Sequence, residues 1–151
     1  MSQTGQPLLW VDDLTVDFWD RDAWINVVNR VEFSVYRGET FGLAGESGCG
    51  KSTVAYSLLG YRRPGSRYRQ GRVVFDGRDL LRLSDKELQP LRGARISLVP
   101  QNPATALSPH MRVGDQVIEV LTVHKVCTDK GTARRRVVDL FGQVRLPDPG
   151  T

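Results

Sequence analysis

The stretch Gly45-Glu46-Ser47-Gly48-Cys49-Gly50-Lys51-Ser52-Thr53 constrains this chain more than any other feature. Two glycines five positions apart are followed by a lysine and a hydroxyl residue, which is the pattern of a phosphate-binding loop. Glycines let the backbone wrap closely around phosphates, and successive N–H groups then point at the anion. We expect Lys51 to reach the β- and γ-phosphates and the Ser52 hydroxyl to hold Mg²⁺. The stretch therefore predicts a nucleotide-binding site.

The residues on both sides of the loop support this interpretation. Residues 40–44 form a short apolar run that predicts a buried strand leading into the loop. Residues 53–59, followed by Gly60, predict the helix that leaves it. The alternative is a glycine-rich turn that contains Lys-Ser by chance. Such a turn would not be expected to lie between a strand and a helix, so the flanking pattern favours a phosphate-binding loop.

Composition sets the class of protein. The chain has 151 residues, of which 40% are hydrophobic and 25% charged, as in soluble globular proteins with a core. No apolar run is long enough to cross a bilayer, and the first ten residues lack the pattern of a signal peptide, so a cytoplasmic protein is expected. Cys49 and Cys127 are too far apart in sequence to suggest a metal knuckle or redox pair.

The net charge of +4 is a mild basic excess, and five arginines cluster between residues 62 and 72. Such a cluster could contact nucleic acid or anionic lipid. We favour a solvated loop around Pro64-Gly65-Ser66, because few aromatic residues lie between the arginines. Nucleic acid is therefore not an expected partner.

Hydrophobic patterning predicts a mixed α/β fold. Residues 8–18, 25–35 and 72–75 alternate as strands of an antiparallel layer, and Asp76-Gly77 favours a tight hairpin turn. Ser84 and Glu87 form a capping box for a short helix that Pro90 must end or kink. Residues 96–99 predict a buried strand, with Pro100-Gln101 directly after its end. Residues 115–126 and 132–144 have helical spacing, so we divide the chain into an α/β core, 1–103, and a helical part, 104–151.

With these motifs in order, the chain resembles the ATP-binding subunit of an ABC transporter. Residues 45–53 correspond to the family's Walker A motif, residues 71–77 to its hairpin, and Pro100-Gln101 to its Q-loop. The resemblance implies a phosphate-loop NTPase core with an antiparallel β layer and the start of a helical subdomain. Residues 101–109 and 145–149 are similar to the branch that serves dipeptide, oligopeptide and nickel importers.

The resemblance assigns roles to individual residues. Lys51 and Gln101 are the implied catalytic residues, and Ser52 and Gln101 the implied Mg²⁺ contacts. The ATP-binding set is Phe18, Gly45, Ser47, Gly48, Cys49, Gly50, Lys51, Ser52 and Thr53. Phe18 corresponds to the aromatic residue that stacks on adenine. An ordinary core role for Phe18, or stacking by Trp19 or Trp24 instead, remains open.

The resemblance also implies partners and a location. ATP and Mg²⁺ are the expected cofactors, and a second ATP-binding subunit and transmembrane permease subunits are the expected partners. An extracytoplasmic solute-binding protein would act indirectly. The protein would then lie peripherally on the cytoplasmic face of the membrane, with residues 104–116 contacting the permease.

Several family motifs are not found in the chain. The signature Leu-Ser-Gly-Gly-Gln, the Walker B strand and the switch histidine are missing, so we expect an N-terminal fragment that is inactive alone. Apolar residues such as Phe41, Leu43, Ile96 and Leu98 would then be left uncovered. Alternatives are a soluble ABC ATPase, a nucleotide sensor, or a phosphate-loop kinase or GTPase. A GTPase would need an Asn-Lys-x-Asp motif to recognise guanine, and the sequence lacks this motif.

Overall fold

The computed structural model describes residues 5–102 and 106–146. The chain divides into two compact units, residues 1–92 and 93–151. The expected boundary between 103 and 104 lies outside the described residues, as do residues 147–149 of the expected importer-like segment. The first unit contains β1 (Leu9–Asp20), β2 (Ala23–Val35), α1 (Lys51–Ser57), β3 (Ser66–Phe75), β4 (Arg78–Asp79), a 3₁₀ turn (Leu80–Arg82) and α2 (Asp85–Leu88).

The expected antiparallel layer is confirmed as a four-stranded sheet in the order β2-β1-β3-β4. β1 is the central long strand, and it pairs with β2 and β3 along most of its length. Val11, for example, pairs with Phe33 on one side and Val73 on the other. The most deeply buried side chains include Leu14 and Leu80. The core of this unit therefore lies on the face of β1 and β3 that the 3₁₀ turn covers.

A bulge interrupts the pairing of β1 with β3. The register shifts between Asp12 and Thr15, and Asp13 has a left-handed φ of 48°. Gly71 faces the bulge with a φ of 98°, and a Cβ atom placed on it would lie 2.5 Å from the Asp13 carbonyl oxygen. Only glycine fits at this point, because both the torsion angle and the space exclude a side chain.

Replacing Gly71 should therefore destabilise the protein more than replacing another left-handed glycine. Gly77 has a φ of 80° with open space around it, so Gly77→Ala should lower the free energy of unfolding by about 1 kcal/mol. Gly71→Ala should cost about 1–3 kcal/mol more, because the added methyl group meets backbone. Chemical denaturation of the two variants measures the difference. Equal stability of the two variants would contradict the close approach of the strands.

The two local motifs in this unit form as expected. Asp76 and Gly77 have φ values of 47° and 80° and join β3 to β4 through the pair Phe75 and Arg78. In the capping box, the Glu87 carboxylate accepts hydrogen bonds from the Ser84 N–H (2.8 Å) and hydroxyl (2.6 Å). These bonds hold the pKa of Glu87 below its usual value. α2 ends before Pro90, as expected.

Two expected strands are wrong in this structure. Residues 40–44 and 97–99 have no strand conformation, and Ile96 forms only an isolated β-bridge; all of these residues are described. Phe41, Leu43 and Leu98 are exposed as expected, whereas Ile96 is half-buried. The Phe41 ring stacks on Phe33 with the ring centroids 4.7 Å apart, which covers part of its surface. A strand of this type needs neighbours on both sides for its hydrogen bonds, and short-range sequence patterns cannot supply them.

The second unit contains α3 (Val113–Val123) and α4 (Lys130–Gln143), which confirms both expected helices with starts two residues earlier. The Asp129 side chain caps α4 by accepting a hydrogen bond from the Thr132 N–H at 2.9 Å. Ala133 and Val137 of α4 are buried. Within residues 5–102 and 106–146, no helix has the length and apolar character needed to span a membrane.

Candidate nucleotide-binding site

The loop between Gly45 and Gly50 depends on glycine conformations. Gly48 and Gly50 have φ values of 82° and 93°, which side-chain-bearing residues rarely adopt. A Cβ atom on Gly50 would lie 2.8 Å from the Val27 carbonyl oxygen, and one on Gly45 would lie 2.6 Å from the Cys49 sulfur. The loop is therefore pressed against β2 at one end and folded onto itself at the other. The contact with the Val27 backbone explains why glycine is required at position 50, whereas the Cys49 side chain beside Gly45 could rotate away from an added methyl group.

α1 begins immediately after the loop, at Lys51. Gly50 is the N-cap, and within the described chain no side chain caps this end of the helix. The first N–H groups of a helix have no partner inside it, and the helix dipole adds partial positive charge there. Thr53 and Val54 are buried and anchor the first turn. The start of α1 is thus fixed in place with its N–H groups available to an anion.

The Lys51 ammonium lies over its own loop. It donates hydrogen bonds to the carbonyl oxygens of Gly45 (2.8 Å) and Glu46 (2.6 Å), and its nitrogen is 3.4 Å from the Cys49 sulfur. An ammonium group has three protons to donate, and here it uses them on neutral acceptors. A phosphate oxygen is a stronger partner for a cation than a neutral carbonyl. The Lys51 ammonium therefore lies at the loop that is expected to hold the phosphates, but it is hydrogen-bonded to the loop carbonyls.

The remaining loop residues differ in exposure. Ser47, Gly48, Cys49 and Ser52 are exposed, whereas the Thr53 side chain is buried. The Thr53 carbonyl accepts a hydrogen bond from the Ser57 hydroxyl at 2.8 Å within the helix. Thr53 can thus contribute its N–H group at the start of the helix, while Ser52 presents its hydroxyl to solvent. The structure brings all the loop residues of the predicted site together in one continuous segment.

The three candidate aromatic residues lie at the hairpin end of β1 and β2. Phe18 is half-buried, and the Arg63 guanidinium carbon lies 5.7 Å from its ring centroid and 5.5 Å from that of Tyr56 in α1. Trp19 and Trp24 pack edge to face with their centroids 5.3 Å apart, and the Arg67 guanidinium covers Trp24 at 4.2 Å. The two tryptophans are therefore already engaged with each other and with an arginine.

A polar network beside Phe18 was not anticipated from the sequence. Asp17 is 2% exposed and bonds to Arg67 at 2.9 Å and to the Asn26 amide at 3.1 Å. The Asn26 hydrogen bond and then the Arg67 contacts lower the pKa of Asp17, although burial opposes them. Arg67 is thus fixed by Asp17 at the same time as it covers Trp24. The sequence signal available for this network was Asp17, an aspartate within an apolar strand, but its partner Arg67 lies fifty residues away.

Comparison with known proteins identifies the family. Residues 28–149 match the sequence profile of the family described as ABC transporter. This chain belongs to the ABC transporter family. The matched range covers most of the chain, including the loop and both helices of the second unit, so the earlier resemblance is confirmed.

Individual ABC relatives are similar over nearly the whole chain. The dipeptide transport ATP-binding protein of Bacillus subtilis is 44% identical over 96% of this chain, and that of Escherichia coli is 40% identical over 95%. The oligopeptide transport ATP-binding protein of Salmonella typhimurium is 41% identical over 97%. The aligned part is 43–44% of each relative. The chain thus spans less than half the length of these ABC proteins.

The ABC motif residue Gln101 belongs to the second unit, where it is exposed in a bend. Phe18 and the phosphate loop belong to the first unit. The catalytic and Mg²⁺-binding roles of Gln101 stay predictions. Nor do the described residues contain a cluster of three or more His, Cys, Asp or Glu side chains that could hold a metal ion.

Cys49 offers a direct test of the loop as an ABC nucleotide site, because its thiol is free and exposed inside the loop. N-ethylmaleimide should modify Cys49, and Mg-ATP at ten times its dissociation constant should slow the modification about tenfold. Mass spectrometry measures the rate. The Cys49→Ser variant serves as the control, since Cys127 is buried and should react slowly. Equal rates with and without Mg-ATP would place the nucleotide elsewhere.

Proposed function

We propose that this protein is the ATP-binding subunit of an ABC importer that couples ATP binding and hydrolysis to the uptake of peptides or related solutes. The observation that carries this proposal is the 40–44% identity to dipeptide and oligopeptide transport ATP-binding proteins over nearly the whole chain. The glycine-dependent loop supports it independently, since its shape suits a phosphate chain.

In this function the loop and the first turn of α1 bind the triphosphate. The N–H groups at the start of α1 donate to phosphate oxygens, and Lys51 exchanges the Gly45 and Glu46 carbonyls for the β- and γ-phosphates. The exposed Ser52 hydroxyl supplies one oxygen ligand for Mg²⁺, which neutralises phosphate charge when it is bound. Few protein oxygens would be needed, because Mg²⁺ usually keeps several waters and takes further ligands from substrate phosphates.

Phe18 is the residue that we assign to the adenine ring. Its ring is partly accessible. Phe18 pairs with Ile25 of β2, and Val27, two residues further along β2, lies against Gly50 of the loop. Trp19 and Trp24 are less suitable because they pack against each other and because Arg67 lies 4.2 Å from the Trp24 ring, closer than Arg63 lies to the Phe18 ring at 5.7 Å. Gln101 is proposed to position the attacking water and to contact Mg²⁺.

The partners follow from the same proposal. A second ATP-binding subunit and transmembrane permease subunits complete the importer, and a solute-binding protein on the other side of the membrane delivers the solute. The protein would then be bound peripherally at the cytoplasmic face of the membrane, with residues 104–116 toward the permease. Only residues 106–116 of that segment are described.

The Lys51→Ala variant tests the proposed activity in the full-length importer. Removal of the ammonium should lower the ATPase rate by about a hundredfold or more, because charge stabilisation in the transition state is lost. Uptake of a labelled dipeptide should fall with it. The Lys86→Ala variant is the matched control, since Lys86 is an exposed lysine on α2, away from the loop.

The two measurements separate the alternatives. Lost ATPase activity with unchanged peptide uptake would indicate an ABC ATPase outside transport. Unchanged ATPase activity in the Lys51→Ala variant would contradict the nucleotide site itself.

The Phe18→Ala variant tests the adenine assignment. Stacking of a base on an aromatic ring is worth about 1–3 kcal/mol, so ATP affinity should fall by a factor of about 5 to 150. Inorganic triphosphate, which has no base, should bind the variant and the wild type alike. Equilibrium binding of both ligands to Phe18→Ala and to the control Trp19→Ala measures this. A larger effect of Trp19→Ala would move the stacking role to the tryptophan.

A further inference from the structure

A tight turn over residues 108–111 leads into α3 in the second unit. The Met111 N–H donates a hydrogen bond to the Ser108 carbonyl oxygen at 3.4 Å, which closes the turn. Pro109 occupies the second position, where the fixed φ of proline suits a turn of this kind. α3 begins immediately after Arg112, its N-cap. The turn therefore connects directly to the start of the helix.

The side-chain amide of Gln116, near the start of α3, holds this turn. Its Oε1 atom accepts a hydrogen bond from the Ser108 N–H at 2.9 Å, and its Nε2 atom donates to the carbonyl oxygens of Ser108 and Met111, both at 3.0 Å. Gln116 is half-buried, and both ends of its amide are used. Glutamine suits this task because one planar group carries an acceptor and two donor hydrogens, whereas an ionised glutamate carries only acceptors.

These hydrogen bonds serve the turn rather than the helix. A glutamine that caps a helix lies at the third helical position and bonds to the backbone N–H of the N-cap residue. Gln116 lies at the fourth position of α3, and its partners precede the N-cap. Within the described chain, no side chain caps the start of α3. The Gln116 amide therefore fixes the backbone of the turn in one conformation.

Apolar side chains at and beside the turn are exposed. Leu107, Met111 and Val113 are 41%, 45% and 42% exposed. Residues 106–114 also carry one arginine and one histidine but no acidic residue. An apolar, methionine-containing surface of basic character suits an apolar protein segment that contains acidic residues. Holding such a surface in one conformation before it binds reduces the ordering cost of association.

We propose that Gln116 is a positioning residue for the contact with the permease, and that the turn docks on an apolar, acidic segment at the cytoplasmic side of the permease. In the importer function, on which this assignment rests, residues 106–116 lie toward the permease. Gln116 acts through the turn rather than by touching the permease, and the exposed apolar side chains make the contact. Loss of its three hydrogen bonds frees the turn, so the permease is bound more weakly while ATP binding is unchanged.

The test compares variants of the full-length protein assembled with its permease. Gln116→Met keeps the approximate length of the side chain and removes the three hydrogen bonds. Its affinity for the permease and its peptide uptake should fall about tenfold, because a preformed contact surface becomes a disordered one. Its ATP affinity should equal that of the wild type. Gln143→Met, at an exposed glutamine that ends α4, is the matched control and should behave as the wild type in all three measurements.

Met111→Ser tests the contact surface separately from the hydrogen bonds. Gln116 bonds to the backbone carbonyl of Met111, so this variant keeps the bonds but should still weaken permease binding. The variant with both changes should lose less affinity than the product of the two single losses, because both act on one contact. Multiplicative losses would indicate that Gln116 acts elsewhere and would overturn the proposal.

The remaining outcomes distinguish this proposal from the importer function. Undiminished permease binding by Gln116→Met or by Met111→Ser would overturn the role of Gln116 and leave the importer function intact. If Gln116→Met is too unstable to assemble with the permease, the result for Met111→Ser decides. A wild-type protein that binds ATP but neither associates with a permease nor supports peptide uptake would contradict the importer function, and the docking of the turn with it.

Discussion

The contact of Gly50 with the Val27 carbonyl is the constraint on which the candidate nucleotide site depends. A side chain at Gly50 would come within 2.8 Å of that oxygen, so the loop can lie against β2 only because glycine has none. β2 is in turn held in register by β1, the central strand of the sheet. Since residues 40–44 form no strand, the antiparallel sheet and the buried turn of α1 together position the loop. The β layer therefore supports the phosphate site directly.

Features encoded within a few residues were predictable from the sequence. The Asp76-Gly77 turn and the Ser84 capping box each require particular residues at short spacing, and both form as expected. The stretch 45–53 has left-handed glycines at positions 48 and 50 and leads into α1, although the strand expected before it is not formed. The two helices of the second unit were also found, because apolar residues at helical spacing are a local signal. The antiparallel layer followed from alternating patterns and a single tight turn.

Features that depend on distant partners were not predictable. Residues 40–44 and 96–99 have the composition of buried strands, but composition does not supply the neighbouring strands that would pair with them. The ion pair of Asp17 with Arg67 joins β1 to β3 across fifty residues of sequence, and the aspartate in an apolar strand does not by itself indicate which arginine pairs with it. The hydrogen bonds of Arg92 to the carbonyl oxygens of Leu59 and Gly60 also join residues far apart in sequence. Such arrangements follow from tertiary packing, which a sequence pattern does not encode.

The distribution of tryptophan gives the fold its own optical reporter. All three tryptophans, Trp10, Trp19 and Trp24, lie in β1 and β2. Arginine guanidinium groups cover two of them, Arg72 over Trp10 at 4.8 Å and Arg67 over Trp24. Intrinsic emission therefore monitors the β-sheet unit and is silent about α3 and α4. A melting curve recorded from tryptophan fluorescence would follow only one of the two units, and the helical unit would need a second probe such as far-UV circular dichroism.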